Sequence, residues 1–67
     1  MNLKQMEYFV AAAEQLNFTR AAKKCFISQT AMTLQIQSLE EKIGVPLFVR
    51  DKHHVELTAA GKVYLNE

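Results

Sequence analysis

The sequence predicts one small, mainly α-helical domain: three helices with a buried face each, then a short two-stranded hairpin and the start of a fourth helix. Apolar residues recur at three- and four-residue steps over residues 3–16 and again over 32–43, the mark of helices with one side against a core. Ser28 before the second run and Gly44 and Pro46 after it are start and stop signals. Beyond Pro46 the pattern changes to a short apolar run, a polar turn and an alternating run, which reads as a hairpin. At 67 residues the chain holds one domain at most and buries about 60% of its unfolded surface, which argues against a deep substrate pocket.

The first helix carries Leu3, Met6, Phe9, Val10, Ala13 and Leu16 as its expected inward stripe, with Asn2 and Gln5 spaced as a capping box. Asn17 and Phe18 interrupt the pattern. Thr19 is the expected N-cap of a second, short helix that turns Ala21, Ala22 and Cys25 inward. Phe26 and Ile27 form an apolar hinge, and Ser28 caps the third helix, residues 28–43. Its stripe, Met32, Ile36, Leu39 and Ile43, spans about 60° of the helical wheel. Leu47, Phe48 and Val49, the turn Asp51 to His54, and Val55, Glu56 and Leu57 make the hairpin over 48–57. Thr58 caps the last helix, where Val63, Tyr64 and Leu65 are more consecutive apolar surface than one buried stripe needs. Part of that surface, Val63 and Tyr64 above all, is expected to meet a partner.

Composition is that of an ordinary soluble domain, 49% hydrophobic and 22% charged, with two Gly and one Pro. The single cysteine cannot form an internal disulfide, which suits a reducing cytosol. No secretory leader and no run of about 18 apolar residues is present, so a cytoplasmic protein without a membrane partner is expected. Net charge is only +1, weak support for nucleic-acid binding, but its distribution is uneven. Arg20, Lys23 and Lys24 give residues 20–27 a charge of +3, and Arg50, Lys52, His53 and His54 cluster in the hairpin beside Asp51.

Opposite its apolar stripe the third helix presents Thr30, Leu34, Gln37 and Glu41, flanked by Thr33 and Ser38. Short polar side chains of this kind can approach base edges: Gln bonds adenine in a bidentate way, Ser and Thr bond several edges, and an aliphatic group touches a thymine methyl. A basic short helix, a tight turn and a polar helix match the helix-turn-helix, in which one helix braces across the DNA backbone and the next enters the major groove. A generic three-helix bundle with a solvated polar face fits the periodicity equally well.

Several ordered motifs separate these two. Phe18-Thr19-x-Ala21-Ala22, Ile27-Ser28-Gln29, Gln35-Ile36-x-x-Leu39-Glu40, Gly44-Val45-x-Leu47-Phe48-x-Arg50 and Leu57-Thr58-x-Ala60-Gly61 resemble the N-terminal domain of LysR-type transcriptional regulators, and the opening residues 2–18 fit as well. The resemblance implies a winged helix-turn-helix at 1–57, the start of a linker or dimerisation helix at 58–67, and a dimeric or tetrameric regulator whose small-molecule effector domain lies outside these residues. The chain is thus expected to be a domain of a longer protein. By resemblance Gln29, Thr30, Thr33 and Leu34 fall where the family meets bases or neighbouring phosphates, and the helical wheel adds Gln37. Thr19, Arg20, Lys23, Lys24, Ser28, Arg50, Lys52, His53 and His54 are the expected phosphate and wing contacts. Two departures stand out: Thr30 replaces a usual Pro, and Leu34 a common basic residue. The histidines stand where the wing often carries arginine, and DNA affinity is expected to rise as pH falls from about 7.5 to 6.

Other chemistries have less support. Cys25 and the adjacent His53 and His54 lie on different elements, and neighbours in a strand point to opposite faces, so no metal or other cofactor is expected. Glu40 and Glu41 diverge on a helix. No nucleophile motif, glycine-rich phosphate loop or paired carboxylate site points to an enzyme. The rival reading is a protein-interaction module that uses the last helix and never touches DNA.

Overall fold

The computed structural model describes residues 2–51 and 54–66. The expected wing contacts Lys52 and His53 lie outside the described residues. Within them the order is α1 (Leu3–Gln15), α2 (Phe18–Lys24), α3 (Gln29–Ile43), β1 (Phe48–Arg50), β2 (Val55–Leu57) and α4 (Ala59–Asn66). The fold is a three-helix core with a two-stranded wing, the winged helix-turn-helix. Among the described residues no helix is long and apolar enough to cross a membrane.

Local chemistry sets most of the boundaries. Asn2 accepts a 2.8 Å bond from the Gln5 backbone N–H at the start of α1, but the reciprocal half of a capping box does not form. The Gln5 side chain turns inward instead, 5% exposed, and its amide donates to Gln35 and Ser38 on α3 while its carbonyl accepts from Lys42. The cap of α2 is Asn17, not Thr19: its side-chain oxygen accepts from the Arg20 backbone N–H at 2.9 Å. The helix therefore starts two residues earlier than the sequence suggested, and Thr19 lies inside its first turn. Ser28 caps α3 through the Ala31 N–H, and Gly44, at φ 89°, ends it.

Between α2 and α3 the chain reverses through Phe26, whose φ of 61° lies in the left-handed region. Phe26 N–H bonds the Lys23 carbonyl and Ile27 N–H bonds the Ala22 carbonyl. This double closure terminates a helix with a left-handed residue, most often glycine, at its centre.

The buried face of α1 differs from the expected stripe. Phe9, Ala12 and Ala13 are buried with Gln5, whereas Leu3 is 83% exposed and Met6 and Leu16 are also exposed. The alanines let α2 and α3 pack close to α1, which rotates the inward face away from Leu3 and Met6. Met6 and Val10 instead join Tyr64 and Leu65 along an apolar groove between α1 and α4. Cys25 is only partly buried, so it sits at the rim of the core rather than within it.

Met32, Ile36 and Leu39 are fully buried as expected, and Ile43 is partly so. An aromatic series ties the elements together: Phe18 packs edge-on against Phe48 at 5.4 Å, Phe48 against Phe9 at 5.6 Å, and Phe9 against Tyr64 at 5.5 Å. Each such pair contributes about 0.5–1.5 kcal/mol beyond its buried area. β1 and β2 pair antiparallel, Phe48 opposite Leu57 and Arg50 opposite Val55.

One peptide gathers three elements. A Glu40 carboxylate oxygen on α3 accepts from the Leu47 and Phe48 backbone N–H groups at 2.7 and 3.2 Å. The Leu47 carbonyl accepts from the Thr58 N–H, and the Thr58 hydroxyl accepts from the Gly61 N–H in the first turn of α4. Gly61 is buried against that same Leu47 carbonyl, where a Cβ has no room.

Candidate nucleic-acid interface

With Met32, Ile36 and Leu39 turned to the core, the first two turns of α3 offer their other face to solvent. Gln29, Thr30 and Gln37 are exposed, Leu34 is 59% exposed and Thr33 is partly buried. Gln29, Thr30, Thr33 and Leu34 surround a shallow notch on this face. Four of the five expected base-reading residues thus form one contiguous surface, with Gln37 a turn further along. No acidic residue lies in the first turn of α3, so nothing there repels a phosphate backbone.

A second, somewhat more enclosed cleft adjoins it. Asn17, Phe18 and Thr19 at the start of α2, Gln29 and Thr33 on α3, and Arg50, Asp51, His54 and Val55 on the wing all line it. Gln29 and Thr33 belong to both concavities, so α3, α2 and the wing face one place. Across the cleft the Thr19 hydroxyl donates to the Gln29 side-chain carbonyl at 3.1 Å. The Arg50 guanidinium lies over the Phe18 ring, 4.8 Å from its centre, and the residue is exposed, which holds a cation at the base of the wing.

The expected phosphate contacts differ in their surroundings. Arg20 and Lys23 are exposed, whereas Lys24 lies 3.8 Å from Glu14. The Ser28 hydroxyl accepts from the Ala31 N–H and so is partly committed to the helix cap. His54 Nε2 lies 3.3 Å from a Glu56 carboxylate oxygen.

At the dimerisation end, Val63 is exposed but Tyr64 is partly buried with its ring against Phe9. Tyr64 therefore contributes to the domain's own core, and the apolar groove of Met6, Val10 and Leu65 beside it was not legible in the α1 pattern. Glu40 and Gln5 also escaped the sequence reading, because their partners stand at least seven and thirty residues away. Among the described residues no group of three His, Cys, Asp or Glu side chains could hold a metal ion.

Comparison with known proteins agrees with this geometry. The sequence profile of the family described as "Bacterial regulatory helix-turn-helix protein, lysR family" matches residues 3–62. The chain is 54% identical over 67 residues to the Hca operon transcriptional activator HcaR of Escherichia coli K12, covering all of this chain and 23% of that protein. It is 48% identical to the probable cat1 operon transcriptional activator of Acinetobacter lwoffii, again over the whole chain and 22% of the relative. The chain thus spans under a quarter of these relatives. Among solved structures it superposes on the CbnR_DBD–DNA complex with a TM-score of 0.94 at 44% identity, over 98% of this chain and 76% of that one. It superposes on the BenM_DBD complex with benA site 1 DNA at 0.93 and 39% identity, over 98% and 74%. Fold, site and sequence agree, and the chain belongs to the lysR family of bacterial regulatory helix-turn-helix proteins.

Proposed function

We propose that this chain is the DNA-reading module of a bacterial transcriptional regulator, binding double-stranded DNA sequence-specifically with α3 in the major groove and the wing, residues 48–57, on the backbone or minor groove. The observation that supports the reading is the shared position of Gln29 and Thr33 in both concavities, which joins an uncharged surface of α3 to the start of α2 and to Arg50 of the wing. Gln29, Thr30, Thr33, Leu34 and Gln37 meet base edges. Thr19, Arg20, Lys23, Lys24, Ser28, Arg50, Lys52, His53 and His54 meet phosphates. Specificity and electrostatic attraction then reside on different elements.

Residues 1–57 are the DNA-binding unit and 58–67 begin a linker and dimerisation helix. Val63, with the α1–α4 groove, is the surface through which two copies pair, so that two recognition helices meet one operator. In the whole regulator a further domain binds a small-molecule effector, and the protein works in the cytoplasm as a dimer or tetramer. This module performs no catalysis of its own.

The test is selection of bound duplexes from a random pool, followed by titration of the selected site over a range of salt. We expect one enriched motif and a log-log slope near −0.9 per phosphate neutralised. Lack of enrichment at low salt, together with salt-insensitive self-association, would favour the protein-interaction module instead.

A further inference from the structure

Resting on the reading of α3 as the recognition helix, the Thr19–Gln29 bond carries a further step. Because Asn17 caps α2, the Thr19 hydroxyl is released from capping duty and reaches over the helix-turn-helix reversal to Gln29, the first residue of α3. An exposed glutamine can present its amide to a base in either sense. Here its carbonyl oxygen is held by Thr19 on α2, and Nε2 is the end of the amide that this bond leaves unused.

That choice has consequences for the base. Bidentate pairing with adenine turns both amide atoms to one base edge, the oxygen accepting from N6 and the nitrogen donating to N7. Such a pose costs the Thr19 bond or divides the oxygen between two donors. Donation from Nε2 alone suits an edge without a competing donor, O6 and N7 of guanine or O4 of thymine, whereas adenine sets its N6 donor beside N7 and leaves it unmatched once the glutamine oxygen is engaged elsewhere.

We propose that Thr19 is a positioning residue for specificity: by holding the Gln29 carbonyl it makes Gln29 a donor, and selects guanine or thymine over adenine at the base pair Gln29 meets. The residue sits within the phosphate-facing turn of α2, yet its effect falls on sequence preference.

The test compares the full chain with T19V, T19S, Q29A and T19V/Q29A in duplex selection, alongside affinity for one non-specific duplex. Valine keeps the shape and branching of threonine without the hydroxyl, and the site is exposed, so folding is not at stake. We expect Q29A to flatten preference at one base pair where the unmodified chain takes guanine or thymine. T19V should weaken the preference at that same pair by about two- to ten-fold, the range of one hydrogen bond, and admit adenine. T19S should retain the preference, and the double variant should match Q29A. Because Thr19 is also proposed to meet a phosphate, any loss of affinity for the non-specific duplex in T19V is common to all sequences, and the readout is the ratio of guanine or thymine to adenine at the Gln29 pair after division by that loss. The proposal is overturned if T19V weakens all sequences alike with every preference intact, or if the unmodified chain selects adenine at the Gln29 pair and T19V leaves it so. If Q29A alters no position although a motif is enriched, the assignment of Gln29 to the bases fails first, and the role of Thr19 with it.

Discussion

Glu40 is a solvent-type residue that the fold uses as a backbone acceptor, bonding the Leu47 and Phe48 N–H groups through one carboxylate oxygen. A charged acceptor makes such bonds stronger than a neutral one. Removing it leaves the N–H groups of two buried residues without that partner, so E40A is expected to cost about 1–3 kcal/mol in denaturant unfolding, and E40Q less, because the amide oxygen can still accept. Phe26 poses the opposite case. Its left-handed backbone, at a cost of about 1–2 kcal/mol, supports a ring that is 94% exposed and so contributes little burial. F26N, which tolerates that conformation, should raise stability by about 0.5–1 kcal/mol, seen as a higher melting temperature; a lower one would mean that the ring makes a stabilising contact. At this scale the sequence was legible where partners are three residues apart, as with Ser28 and Thr58. Asn17 and Thr19 are both good caps two positions apart, and only the packing of Phe18 into the core decides between them.

At the scale of elements, α3 was the most legible and α1 the least. A long helix whose apolar stripe serves one core shows that stripe plainly, and Met32, Ile36 and Leu39 are buried as read. α1 packs on α2, α3 and the aromatic ring of Tyr64 in α4, so its apolar residues serve both the core and an open groove, and periodicity merges the two. The inward Gln5, a polar residue among alanines, disguises the true face further. The junction of α4 with the wing gives a sharp test. Gly→Ala within a helix ordinarily gains about 1 kcal/mol, but at Gly61 the added methyl runs into the Leu47 carbonyl and the Leu57 side chain. Backbone cannot yield as a side-chain tip does, so overpacking, about 1–3 kcal/mol, should prevail. G61A is expected to be less stable than the parent in thermal unfolding.

For the whole molecule, the oligomeric state follows from how much surface α4 can offer. Its eight residues make a rod about 12 Å long, whereas a stable interface buries about 800 Å² per partner. The 67-residue chain should therefore sediment as a monomer or weak dimer at micromolar concentration and hold a half-site poorly; a tight dimer would show that the α1–α4 groove suffices alone. The overall architecture was readable because its motifs are ordered along the chain. The cleft shared by α2, α3 and the wing was not, since it exists only once residues 17–19, 29–33 and 50–55 are folded onto one another. The peptide at Leu47 makes that folding an angular matter. In the Leu47–Phe48 peptide the Phe48 N–H donates to Glu40 near the end of α3, while the Leu47 carbonyl accepts from the Thr58 N–H at the start of α4 and lies against Gly61. One amide plane therefore joins the helix proposed to read to the helix proposed to pair, and where two copies join through α4, its tilt, together with the seat of Tyr64 on Phe9, enters the spacing of their reading faces.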